Sequence, residues 1–174
     1  TFPNFYKNNY FDRTIPESEM LMRVIDRLKP TLMGSLHNAG FGGVYYYLSR
    51  DEPALYPALY DLPKWEDLPL RLGEPEVPYA VQFAPAIFKF MSVAESYDYM
   101  EANGADMSNY SHGGSSTEYA APYGTLTLVT EMAYFDDPRV NDQTVSDINR
   151  RQAILGGLDL SDEGYQVTNG HLEA

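Results

Sequence analysis

The chain contains no cysteine, and this absence excludes whole classes of chemistry. Disulfide bridges, cysteine-ligated zinc fingers, iron–sulfur clusters and thiol catalysis all require a sulfhydryl group. Histidine is scarce as well, with three among 174 residues. A metal site in this protein must therefore use few imidazoles or take ligands from elsewhere. The lack of cysteine does not settle the cellular compartment, which the sequence leaves open.

Basic residues are few: 12 Lys+Arg stand against 25 Asp+Glu, for a net charge of −13. A nucleic-acid binder needs a basic face that displaces counterions from phosphates, and an anionic membrane also attracts basic segments. No apolar run approaches the roughly 18 residues that cross a bilayer. We therefore expect neither a nucleic acid nor a membrane as a partner.

The sequence is otherwise that of a folded protein, with 44% hydrophobic residues. Its length suits one domain with a substantial core, and we predict a single domain over residues 1–174. Aromatic residues make up 14% of the chain, and 15 of them are tyrosines. Because tyrosine joins an apolar ring to a polar tip, it suits wet clefts and interfaces as well as cores. We expect a tyrosine-rich surface around Tyr45, Tyr46 and Tyr47.

The hydrophobic pattern predicts an α/β fold with a mixed β-sheet flanked by helices. A capping box of Thr14 and Glu17 begins a predicted helix with one apolar face, and Pro30 ends it. Seven of the twelve prolines fall within residues 51–85, which predicts an irregular excursion with short helical turns. The predicted helices cover residues 14–29, 86–100 and 140–154, and the predicted strands cover a buried segment 31–37, then 44–48 and 125–131.

Glu131 is the residue of the predicted strands that is hardest to explain as structure. It lies inside an apolar strand, on the same face as Thr127, Val129 and Ala133. A carboxylate in such a place must be paired, bind a metal or take a raised pKa. Each of these outcomes suits a general base, whereas a glutamate that reaches solvent from the strand end is the structural alternative.

His37 ends a predicted strand immediately before a glycine-rich turn over residues 38–43. In open α/β sheets, ligands bind at the carboxyl ends of the strands. A hydrogen-bonded structural histidine is the alternative, and one histidine does not hold a zinc ion, which takes three protein ligands. The chain has no His-x-x-Glu or His-x-x-x-His pair, no glycine-rich phosphate loop and no G-x-S-x-G motif. The spacing alone therefore leaves the site incomplete.

Three blocks of sequence, in order, resemble the zinc metallocarboxypeptidases of family M14. The first is Ser35-Leu36-His37-Asn38, preceded by a helix that opens Pro16-Glu17-Ser18-Glu19. The second, residues 109–116, resembles the mobile tyrosine loop of that family. The third, residues 123–132, is similar to the strand that carries its catalytic glutamate. The match covers residues 14–135 with a gap through the proline-rich excursion, and residues 37–45 point to a bacterial branch.

The resemblance implies a fold, a cofactor and a role for four residues. His37 would be a zinc ligand, and Glu131 would be the general base that takes a proton from a water. Tyr110 would close over the terminal carboxylate of a peptide or amide substrate. Ser116 would lie where the last side chain of the substrate is recognised, and its hydroxyl indicates no preference for charge. The fold implied is the C-terminal half of a carboxypeptidase-like domain with one Zn²⁺ site.

The family's other two zinc ligands, a His-x-x-Glu motif, and part of its arginine clamp lie upstream of the resembling stretch. They are not found in this sequence. The resemblance therefore implies a C-terminal portion of a catalytic domain, inactive alone, in which one edge or face of the sheet is unprotected. Two alternatives stay open: a non-catalytic binding module on the same fold, and an assembly domain. The second would form a homo-oligomer through an exposed sheet or the tyrosine-rich surface.

Overall fold

The computed structural model describes residues 1–40, 42–73 and 75–134, together with the single positions 149, 152 and 156. The chain divides into two compact units, Thr1–Asn141 and Asp142–Ala174. The helix predicted over residues 140–154 lies almost wholly outside the described residues. The prediction of a single domain stays a prediction.

A five-stranded mixed sheet forms the centre of the first unit. Its strand order is β3-β7-β4-β6-β5, with parallel pairs β3–β7 and β4–β6 and antiparallel pairs between the others. This arrangement confirms the predicted mixed α/β architecture. The strands are β1 (Asn4–Tyr6), β2 (Asn9–Phe11), β3 (Leu32–Ala39), β4 (Tyr45–Leu48), β5 (Gln82–Ala84), β6 (Ile87–Lys89) and β7 (Leu126–Ala133), and the helices are α1 (Pro16–Leu28), α2 (Tyr56–Trp65), α3 (Val93–Ala102) and α4 (Ser116–Ala120).

The hydrophobic core lies on both faces of β4. On one face Tyr45 and Tyr47 pack with Phe88 of β6, and on the other Tyr46 and Leu48 pack with residues of α2 and β6. All three tyrosines are 2–3% exposed. The expected tyrosine-rich surface around them is therefore wrong, because β4 is a central strand that is covered on both faces.

Among the strands that the structure describes, β3 lies at the edge of the sheet and has β7 as its one neighbour. The prediction of a buried strand is wrong, because seven of the eight residues of β3 are exposed or half-buried. Leu32 is 60% exposed and Leu36 is 86% exposed. The expectation of an unprotected sheet edge stays a prediction.

Helix α1 lies within the helix predicted over residues 14–29, but it begins two residues later than predicted. Ile15 is the N-cap residue and no side chain caps the helix, while the Thr14 hydroxyl lies 3.4 Å from a carboxylate oxygen of Glu19. The capping box predicted from Thr14 is therefore wrong. Of the predicted apolar face, Ile25 is buried. The other residues of that face, Leu21, Val24 and Leu28, are exposed.

The helix predicted over residues 86–100 is wrong in its first half. Strand β6, which pairs antiparallel with β5, occupies part of that range, and α3 begins after the N-cap Ser92. A capping box of Ser92 and Glu95 sets this start, and Asn103 ends the helix as predicted. A short buried apolar run such as β6 has no period that separates a strand from a helix.

The proline-rich segment is irregular, as predicted, although its helical part is longer. α2 runs for ten residues, with Pro57 in its first turn and Pro63 in its last. The β1–β2 hairpin, the short helix α4 and the strands β5 and β6 were not predicted. No helix among the described residues is long and apolar enough to cross a membrane.

Candidate functional site

The site is built where the parallel strands β3 and β7 end. In the register of this pair, His37 lies directly opposite Glu131, although 94 residues separate them in sequence. Residues opposite one another in paired strands point to the same face of the sheet. The His37 Nδ1 atom is 3.0 Å from Glu131 Oε1. The structure therefore brings together two of the residues that the sequence singled out.

The two side chains of this His37–Glu131 pair differ in their access to solvent. The Glu131 side chain is 10% exposed, and the His37 side chain is 50% exposed. Burying a carboxylate is costly unless it is paired, and the imidazole of His37 is its hydrogen-bonding partner. In the tautomer that carries the proton on Nδ1, His37 donates to Glu131 and Nε2 is left as an acceptor. The pair can thus hold or pass on a proton at the sheet edge.

Strand β4 closes the other side of Glu131. Tyr45 lies directly opposite Glu131 in the antiparallel β4–β7 pair. The hydroxyls of Tyr45 and Tyr47 both donate to the Glu76 carboxylate, the second at 3.0 Å. Burial, followed by the hydrogen bond to Glu76, raises the pKa of each phenol. Both tyrosines therefore stay neutral donors beside Glu131.

A sixth residue, Arg71, extends the site beyond Tyr45. Its guanidinium carbon lies 4.8 Å from the centre of the Tyr45 ring, a cation–π contact. The backbone of Arg71 donates to the carbonyl of Val44, and the backbone of Val44 donates to that of Pro69. The segment that carries Arg71 is thus attached to the residue that precedes β4.

Gly43 makes this attachment sterically feasible. It has a φ of +93°, in the region that favours glycine, and a Cβ there would lie 2.4 Å from the carbonyl oxygen of Pro69. Sequence reasoning read the glycines as a turn and missed both Arg71 and Glu76. No signal in the sequence points to them, because they lie in the proline-rich segment and reach Tyr45 through tertiary contacts.

Tyr110 lies in a cleft of about 330 Å³ whose lining includes neither His37 nor Glu131. Its ring contacts the His112 ring at a tilt of 42°, with centroids 4.4 Å apart, and meets Tyr97 edge-on at 5.1 Å. Ser116 is the first residue of α4, immediately after Ser115, which lines the cleft. The structure therefore does not bring these two predicted substrate-binding residues into contact with the His37–Glu131 pair.

The donors of the described residues do not by themselves complete a zinc site. Catalytic zinc takes three protein ligands, and the pair offers one imidazole and one carboxylate. No group of three or more histidine, aspartate or glutamate side chains in the described part of the chain is placed to hold a metal ion. The zinc prediction stays a prediction.

Comparison with known proteins gives no family for this chain. No protein-family model, no curated protein and no solved structure matches it.

Proposed function

We propose that this chain carries part of the site of a zinc-dependent metallocarboxypeptidase, which hydrolyses a C-terminal peptide bond or a related amide. Glu131 is the general base and His37 is one zinc ligand. The observation that supports this proposal is the 3.0 Å contact of the two side chains at the carboxyl ends of β3 and β7. In open α/β sheets, ligands bind at such strand ends.

The environment of Glu131 suits a group that takes a proton from water. The carboxylate is nearly buried between His37 on one strand and Tyr45 on the other. A base that is positioned by its neighbours and shielded from bulk solvent needs little reorganisation as the proton moves. His37 is the more exposed partner, so its ring faces the side from which a ligand arrives.

The proposal requires further zinc ligands beyond the described residues, because the His37–Glu131 pair is too small a donor set. It also requires Tyr110 to move. A ring that is in contact with His112 and Tyr97 must leave both before it can close over a terminal carboxylate. Tyr110 and its cleft would then receive the end of the substrate, with Ser116 near the last side chain.

The test is Glu131→Gln in the complete polypeptide that the gene encodes, assayed on peptides with a free C-terminus. Loss of a general base should lower kcat by roughly 10²–10⁴-fold while zinc stays bound. Glu17→Gln, at an exposed site in the first turn of α1, is the matched control and should leave kcat unchanged. Full activity of the Glu131→Gln protein would contradict the proposed role.

A non-catalytic binding module is the second candidate, and one observation favours it. The described residues offer two donors at the site, which is fewer than catalytic zinc requires. This candidate predicts that the wild-type polypeptide binds peptides but neither binds zinc nor hydrolyses any peptide. Zinc-dependent hydrolysis by the wild type would exclude it.

A further inference from the structure

A second cleft, of about 350 Å³, lies between β1 and residues 118–123. Neither residue of the His37–Glu131 pair lines it, and Tyr110 does not line it either. Three aromatic side chains contribute to its wall: Phe5, Tyr119 and Tyr123. Phe5 is 60% exposed and Tyr123 is 38% exposed. This Phe5–Tyr123 cleft is therefore open to a ligand in solution.

One carboxylate holds two of these rings in place. The hydroxyls of Tyr119 and Tyr123 both donate to the carboxylate of Asp26 in α1, over distances of 2.8–3.0 Å. The ring of Tyr119 also packs on the buried ring of Phe2, with centroids 5.4 Å apart. Because these aromatic side chains are already fixed, little conformational entropy is lost when a ligand binds against them.

Tyr123 already attracts a cation that belongs to the protein itself. The ammonium nitrogen of Lys29 lies 5.7 Å from the centre of the Tyr123 ring. The face of an aromatic ring carries a partial negative charge, so a cation is stable against it. Lys29 does not line the cleft. The aromatic wall of the cleft is thus suited to a positive charge, in a chain whose net charge is −13.

Glu118 is the charged residue among the described residues that line the cleft, and its partners are uncharged. One carboxylate oxygen accepts from the backbone of Val93 and the amide of Asn4, and the other accepts from the backbone and hydroxyl of Ser115. No basic side chain in the described part of the chain pairs with Glu118. A carboxylate has about four lone-pair sites, so the hydrogen-bonding capacity of Glu118 is used while its charge is not neutralised.

This combination selects one kind of cation. A primary ammonium or a guanidinium needs acceptors for its N–H donors, and the lone pairs of Glu118 are already occupied. A quaternary ammonium has no N–H donor and requires aromatic faces and a nearby negative charge. We infer that the Phe5–Tyr123 cleft binds the trimethylammonium group of a small organic cation. The inference does not depend on the proposed function, because none of the residues assigned there lines this cleft.

The test is a titration of the complete polypeptide with choline, followed through the NMR resonances of its tyrosine rings. The ring resonances of Tyr119 and Tyr123 should shift at millimolar choline. Two matched probes separate the charge from the methyl groups. In 3,3-dimethylbutan-1-ol a carbon replaces the nitrogen of choline and removes the charge, whereas ethanolamine keeps the charge and lacks the methyl groups.

Both matched probes should bind about tenfold more weakly than choline, because each lacks one of the two features that the cleft recognises. No shift of either resonance with choline would overturn the inference. Binding of 3,3-dimethylbutan-1-ol as tight as that of choline would show that the charge is not recognised. Equally tight binding of ethanolamine would show that the site does not require a quaternary ammonium. Either result would also overturn the inference.

Substitutions in the aromatic wall locate the binding. Tyr123→Leu and Phe5→Leu each remove one ring and should weaken choline binding by roughly threefold to thirtyfold. Tyr99→Leu is the matched control, because Tyr99 is 37% exposed and lies on α3, outside the cleft. The amide NMR spectrum of each variant shows that it is folded. Unchanged binding by both cleft variants, or an equal loss in Tyr99→Leu, would contradict the inference.

Discussion

Strands β3 and β4 both pair with β7, yet their surroundings are opposite. Every residue of β4 is buried, and Leu48 is 0% exposed. Within the part of the chain that the structure describes, β3 has a neighbouring strand on one flank, and its Leu36 is 86% exposed. β7 is therefore the boundary between a closed half of the sheet and an open half. Glu131 lies on that boundary, with the buried Tyr45 on one side and the accessible His37 on the other.

This contrast explains how one site can be both rigid and reachable. The closed half fixes the carboxylate through the packed tyrosines of β4 and the phenol–Glu76 hydrogen bonds. The open half presents His37 and an edge strand whose backbone groups have no partner on one side among the described residues. Helix α1 packs on the open half, since Met33 of β3 packs against the hydrophobic cluster that contains Ile25, while Met20 and Leu28 of α1 are exposed.

The sharpest test of the contrast between the closed and the open half replaces one leucine in each half by alanine. Leu48→Ala removes a fully buried side chain of β4 and should lower the free energy of unfolding by about 2–5 kcal/mol. Leu36→Ala removes an exposed side chain of β3 and should change it by less than about 0.5 kcal/mol. Urea denaturation of both variants measures the difference. Equal losses would show that β3 is covered in solution.

A second substitution tests the attachment of residues 69–71, which include Arg71, to the residue that precedes β4. Gly43→Ala should lower the free energy of unfolding by about 1–3 kcal/mol, because of the positive φ and the approach to Pro69. Gly73→Ala, where an added Cβ meets nothing within 4 Å, is the control. Thermal or urea denaturation compares the two. If Gly43→Ala is as stable as Gly73→Ala, the attachment of residues 69–71 to β4 is not as described.

The two helix starts give the smallest effect and contrast a capped helix, α3, with an uncapped one, α1. Ser92→Ala removes a formed capping box in front of α3 and should cost about 1 kcal/mol of unfolding free energy. Thr14→Ala alters the sequence that predicts a capping box for α1, yet no side chain caps that helix, so the cost should be near zero. A cost for Thr14→Ala as large as that for Ser92→Ala would contradict the observed N-terminus of α1.

Sequence patterns identified the long strands and α1, because each has a clear apolar run or period. They could not show which strand lies at the edge, since Leu32 and Leu36 look like core residues until the neighbours of β3 are known. They also could not separate the three-residue strand β6 from the start of a helix. The capping box at Ser92 was a readable signal that the prediction overlooked.

The site shows the same division between local and tertiary information. His37 and Glu131 were identified from strand ends and from a carboxylate in an apolar run, and their direct register follows from the sheet. Arg71 and Glu76 reach Tyr45 from an irregular segment with no periodicity, so no pattern predicts them. The zinc ion, Tyr110 and Ser116 stay predictions from the resemblance alone.

The most direct measurement of the central claim is a calorimetric zinc titration of the complete polypeptide and two of its variants. The account predicts one tightly bound zinc per chain in the wild type and in Glu131→Gln. It predicts loss of that binding in His37→Asn, with an unchanged circular dichroism spectrum. No zinc binding by the wild type, or equally tight binding by His37→Asn, would contradict the assignment of His37 and Glu131 to a zinc-dependent hydrolytic site.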